Sequence, residues 1–279
     1  EMNQQIRRLA EAIEAMKSPA ENVSAADSQD FSDPGAADPA PSDAPSELEM
    51  TDGQREIWLA SQMGQDASRT FHESYTVTLD GALDFPHLEE CMLELIHRHE
   101  ALRLTFAADG TTQYIHPSIH QTINVVELDD RSSTEDDPAS TESELSRLIA
   151  EQIAIPFDLT QGPLSRFVIF KLSESRHVLL FVFHHLVLDG WSWDTLLRDL
   201  GAMYRDGKTM AATELGEPQS YEQYVQWSQS AEQLKKSRVD ANYWTSVFQQ
   251  PYQEFELPSA HPRPATKTYV AGHLVAFID

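Results

Sequence analysis

Residues 178–183, Val-Leu-Leu-Phe-Val-Phe, form an unbroken apolar run that leads directly into His184-His185-Leu186-Val187-Leu188-Asp189-Gly190. A run of that length, rich in Val and Phe, reads as a strand buried on both faces. Such a strand needs a covering layer on each side, so the chain has to fold as a sheet packed between other elements. Two histidines close the run, an Asp-Gly turn follows, and a helical pattern begins. Burying an imidazole is costly unless its nitrogens find partners. Successive strand residues point to opposite faces, so only one of the two histidines can face a given cleft.

The remaining patterns agree with a layered α/β fold. Helix signals run through 52–63, and residues 74–80 alternate as a strand does. Asp84 and Pro86 open a helix whose apolar stripe is Leu88, Met92, Leu95 and Ile96, with Cys91 among them as a packed core thiol. Residues 102–107 and 113–116 make a hairpin through Asp109-Gly110, and 122–128 make a further strand. An acidic loop over 129–144 precedes a helix that stops before Pro156. Residues 164–172 and 177–184 form a second hairpin. The next helix is expected from Trp193 to Arg205, with Ser192 as its N-cap and Gly207 just past its end. Residues 220–250 read as mostly helical, and 269–278 as a last strand.

Ahead of this unit, Met2, Ile6, Leu9, Ile13 and Met16 are spaced as a heptad seam, which makes residues 1–17 an amphipathic helix suited to docking on another subunit. The competing reading is a frayed terminal helix or part of an upstream linker. Residues 18–50 are Ala, Pro, Ser and Asp with no Lys or Arg, a composition expected to remain a disordered, self-repelling linker. The globular unit is therefore expected over 51–279.

A net charge of −25 disfavours nucleic acid and anionic lipid as partners. One cysteine excludes a disulfide framework and suits a reducing, cytoplasmic setting. The sequence has neither an apolar run long enough to span a membrane nor a secretory leader pattern. It also lacks a glycine-rich phosphate loop and metal-ligand spacing, so no metal and no directly bound cofactor are expected.

The His-His-x-x-x-Asp-Gly pattern resembles the signature of the condensation domains of nonribosomal peptide synthetases. Five other segments resemble motifs of that family, in the family order. They are Thr51-Asp52-Gly53-Gln54-Arg55-Glu56-Ile57-Trp58-Leu59; Arg98-His99-Glu100-Ala101-Leu102-Arg103-Leu104-Thr105-Phe106; Pro156-Phe157-Asp158-Leu159 with Gly162-Pro163-Leu164 and Arg166; Tyr221-Glu222-Gln223-Tyr224-Val225-Gln226-Trp227; and Leu257-Pro258 with Arg263-Pro264. One short motif is weak, but six in register cover most of 51–279. The segment from Glu56 to Gln62 is reminiscent of members that follow a polyketide module, which would make the donor a polyketide acyl chain.

The resemblance implies a chloramphenicol-acetyltransferase-like lobe, the first of two lobes with a channel between them. It implies amide formation between an acyl or peptidyl thioester on an upstream carrier protein and an aminoacyl group on a downstream one. Both substrates would ride on phosphopantetheine arms. His185 is then the catalytic histidine, either as general base or as the group that orients the amine and stabilises charge; both roles stay open. His184 supports the loop, Asp189 pairs with Arg103, and Gly190 keeps the channel open. Ser192 and the Tyr221, Tyr224, Trp227 series are read as a cap and as packing.

The motifs of a second lobe are missing, so these 279 residues are expected to be inactive alone. Three other readings compete. One is a coenzyme A-dependent acyltransferase of the His-x-x-x-Asp type. Another is an epimerisation domain, whose distinguishing residues would lie in the second lobe. The third is a non-catalytic docking or scaffold piece.

Overall fold

A computed structural model describes residues 44–128 and 138–249, together with 258, 265 and 267–269. In chain order the elements are β1 (Ser46–Glu49), α1 (Asp52–Ser61), α2 (Gln65–Arg69), β2 (His72–Asp80), α3 (Phe85–Arg98), a 3-10 turn (Glu100–Arg103), β3 (Leu104–Phe106), β4 (Thr112–Ile115), β5 (Ile123–Glu127), α4 (Pro138–Ala154), β6 (Ser165–Ser173), β7 (Arg176–His184), α5 (Gly190–Leu215), α6 (Tyr221–Ser228) and α7 (Ala231–Val247).

The apolar run is the centre of the molecule. β7 lies in a four-stranded mixed sheet of order β2-β7-β6-β5, antiparallel to β2 and β6, while β5 runs parallel to β6. Val178, Leu180 and Val182 face one layer, where Leu145, Leu148, Ile149 and Ile153 of α4 cover them. Leu179, Phe181 and Phe183 face the other, among Leu88, Met92 and Leu95 of α3 and Leu196 and Leu200 of α5. The strand is thus buried on both sides, and the period-2 alternation assigns its residues to two cores. A smaller sheet of order β1-β4-β3 abuts the second core.

Three sequence expectations need correction. The linker reading of 18–50 fails at its end. Ser46–Glu49 pairs with β4, and Met50 is 1% exposed. A four-residue strand bearing two glutamates and a single apolar residue, Leu48, has too little alternation to announce itself. The helix expected to follow a loop through 144 starts at Pro138. Its early residues Glu142, Ser143 and Glu144 are exposed, so they carry no apolar stripe. Finally, α5 starts at Gly190 rather than Trp193 and runs through Gly207 to Leu215. The terminator is Gly216, whose φ of 66° is left-handed. The proposed helix 1–17, the linker up to residue 43 and most of the last predicted strand lie outside the described residues; Tyr269 is described and is not in a strand.

Candidate active site

His184 and His185 end β7 and point to opposite sides. His184 is completely buried, in register opposite His72 of β2 and close to the rings of Phe71, His72 and Phe157. Its Nδ1 accepts the Leu186 amide at 3.2 Å, so the proton of the neutral ring sits on Nε2. Burial, with minor contributions from His72 and His185, pushes its pKa down to about 3. His184 is therefore neutral near pH ~7 and shapes the turn that follows it.

His185 is about one-third exposed. Its amide donates to Phe71 O at 2.8 Å, which extends the β2–β7 ladder by one residue and fixes the backbone. Its Nδ1 lies 2.9 Å from Leu188 O. A carbonyl only accepts, so Nδ1 carries the proton and Nε2 presents a lone pair. An imidazole held this way can take a proton at Nε2 while the Leu188 carbonyl steadies the cation formed.

Asp189 and Arg103 do not pair. Asp189 is the N-cap of α5, where Oδ1 accepts the Ser192 amide at 2.8 Å and the Ser192 hydroxyl at 2.6 Å. Those bonds hold its carboxyl below the ordinary value. Ser192, expected as the cap, is thus the residue being capped. Arg103 donates to the carbonyl oxygens of Ile96 and His116, clamping the end of α3 against β4. Gly190 is exposed, and a Cβ built on it would meet nothing within 4 Å.

The buried ion cluster lies elsewhere in the same motifs. Asp199 of α5 is 1% exposed. Its Oδ2 accepts from Arg98 Nε and His99 Nε2, each at 3.1 Å, and Oδ1 takes a two-pronged contact from Arg198. Glu100 Oε2 accepts the amides of Tyr221 and Glu222 and the Ser220 hydroxyl, and so anchors the start of α6. The Arg-His-Glu segment is a junction of α3, α5 and α6.

Beneath the histidine loop a second buried junction joins three motifs. Gln54 Nε2 donates to Gln113 Oε1 at 3.0 Å and to Leu186 O at 3.4 Å. Gln113 Nε2 donates to Glu49 O, and the half-buried Tyr221 packs against the core with its phenol near Gln113 and Gln54. The opening motif holds up the loop that carries His185, with the tyrosine motif packed beside it.

Sequence reasoning missed one group at the site. Glu73 of β2 brings Oε1 to 3.4 Å from His185 Nδ1, and burial together with the same nearby carboxylate raises the Tyr75 phenol above its ordinary value. Tyr75 in turn stacks on Trp193 with ring centres 4.3 Å apart. The legible signal was position. Glu73, Tyr75, Val77 and Leu79 share one face by period 2, and the other three pack against the core.

The geometry defines a site built on one part-exposed histidine just past the end of a doubly buried strand. The condensation-domain family model matches residues 45–279, and the chain belongs to that family, the one found in nonribosomal peptide synthetases. Chondramide synthase cmdD of Chondromyces crocatus is 34% identical over 237 residues, covering 83% of this chain and 6% of that protein. Tyrocidine synthase 3 of Brevibacillus parabrevis is 30% identical over 224 residues, covering 80% of this chain and 3% of that protein. Among solved structures, the X-domain in complex with OxyB from teicoplanin biosynthesis matches with a TM-score of 0.60 and 27% identity, over 82% of this chain and 50% of that one. The condensation domain of the monacolin K polyketide synthase MokA shares the fold, with a TM-score of 0.59 and 21% identity over 75% of this chain and 44% of that one. The chloramphenicol-acetyltransferase-like architecture expected from the motifs is the observed one. The chain spans a few per cent of the synthases it matches and about half of the solved chains. Among the described residues no helix is long and apolar enough to cross a membrane.

Proposed function

We propose that this chain is the His185-bearing half of a condensation domain that forms an amide bond between two carrier-protein-bound substrates. The observation that carries the reading is the part-exposed imidazole of His185, just past the end of β7, with Nδ1–H tied to Leu188 O and the Nε2 lone pair left for substrate. The acceptor amine must be neutral to attack, although a free α-amine titrates near pH ~8. As its nitrogen bonds to the thioester carbonyl carbon, His185 Nε2 takes the amine proton and the carbonyl oxygen becomes an oxyanion. The intermediate then expels the donor thiol, which leaves with the proton as the C–S bond breaks. Both thiols belong to phosphopantetheine arms of carrier proteins, one upstream and one downstream. Residues 1–17 dock another subunit of the assembly, and the reaction takes place in the cytoplasm. The second lobe completes the channel, so these residues alone are inactive.

The test is intact mass spectrometry of an acceptor carrier protein. It is mixed with a loaded donor carrier and the polypeptide containing both lobes, wild type against His185→Ala. Donor mass should move to the acceptor amine, with a rate at least ~100-fold lower in the variant. Acylation from coenzyme A thioesters instead would replace this reading with a stand-alone acyltransferase. No transfer from either donor would overturn catalysis in favour of partner binding.

A further inference from the structure

Catalysis at His185 leaves the imidazole positively charged, and something must hold that charge. Asp189 is the obvious acid in the motif and lies close enough to feel the His185 charge, but its Oδ1 is committed to Ser192 at the start of α5 and it makes no ion pair with the ring among the described residues. We infer that Glu73 is the positioning residue for His185, holding the imidazolium from the Nδ1 side while Nε2 works on the substrate.

Three observations support this. Glu73 Oε1 lies 3.4 Å from His185 Nδ1, whose N–H donates to the Leu188 carbonyl at 2.9 Å, so an anion sits within ion-pair distance of the same nitrogen. Tyr75, the next residue on the same face, stacks on Trp193 and lies near the Glu73 carboxylate, so a fixed aromatic ring bounds the side chain that faces the histidine. Glu73 is also out of character for its row. The residues that follow it on the same face, Tyr75, Val77 and Leu79, pack against the apolar core. Glu73 ends that row about one-third exposed, with its carboxylate beside the histidine. Leu188 O alone fixes the tautomer, so the added contribution of Glu73 is electrostatic and is largest once His185 is protonated.

The inference rests on the condensation reading, and the experiment separates the two. In the full polypeptide with both lobes, Glu73→Gln keeps the size and an acceptor oxygen but removes the charge; Glu73→Asp keeps the charge. Amide formation is followed against acceptor-carrier concentration, with His185→Ala alongside. Glu73→Gln should lower kcat about tenfold, ~1.4 kcal/mol, with KM within about twofold. Glu73→Asp should recover part of that loss. Wild-type activity that is lost in His185→Ala but stays within about twofold in Glu73→Gln would overturn the role of Glu73 alone. A silent wild type would overturn the condensation reading itself. A matching loss in Glu73→Gln and Glu73→Asp, with lowered unfolding midpoints, would make Glu73 structural and overturn the inference.

Discussion

Replacing Asp199 by Asn removes one charge from the centre of the α3–α5–α6 junction with little change of shape. The carboxylate is 1% exposed and accepts from Arg98, His99 and Arg198. Burial alone would raise its pKa. The His99 hydrogen bond and the Arg198 guanidinium outweigh burial and hold it at about 2, against an ordinary 3.8. That difference corresponds to roughly 2 kcal/mol of folding stability. Because the folded value is the lower one, the contribution is complete above pH ~4 and disappears as pH falls toward ~2. Urea unfolding followed by tryptophan fluorescence should therefore put the variant ~2–3 kcal/mol below wild type near pH 7 and pH 5, with Arg98 left partly uncompensated. About half of the gap should close by pH ~3. A gap below ~0.5 kcal/mol near neutrality, or one that stays constant down to pH ~3, would refute the ion-cluster argument.

Gly110 has φ of 70°, and a Cβ there would lie 2.4 Å from the Trp58 ring. Gly110→Ala should cost about 3 kcal/mol in the same unfolding assay. Asp189→Ala should cost only about 1 kcal/mol, as loss of a cap, rather than the ~3–5 kcal/mol of a broken buried pair; a thermal melt distinguishes the two. Gly190→Ala should leave the unfolding midpoint unchanged within ~0.5 kcal/mol, since its Cβ meets nothing within 4 Å.

Much of this was legible because the signals were local. The run over 178–183 announced a two-sided strand, and Asp84 with Pro86 announced a helix start; both are seen. The histidine loop was legible as a motif, but its partners were not, because they are contributed by distant segments. Asp189 and Arg103 were matched by motif logic, whereas the acid that Arg98 and His99 reach is Asp199, ten residues further along. Nothing in the composition of α5 distinguishes the buried Asp199 from the exposed Asp194. Glu73 was half legible. Alternation puts it on the inward face with Tyr75, Val77 and Leu79, but only the register of β2 against β7 carries it to the histidine. β1 was missed because its burial depends on pairing with β4 rather than on its own residues.

The hydrogen-bonded junction under the loop has a consequence for anyone building hybrid synthetases. Its members are Glu49, Gln54, Gln113 and Leu186, with the Tyr221 phenol beside them, and Gln229 also donates to the Glu49 carbonyl. A splice point anywhere between Glu49 and Gln229 would take some members from one parent and some from the other. The amide groups face inward, so a mismatched partner would strand a buried donor or acceptor, at about 1–3 kcal/mol each. Segment exchange should therefore move residues 49–229 as one block, with junctions placed outside it.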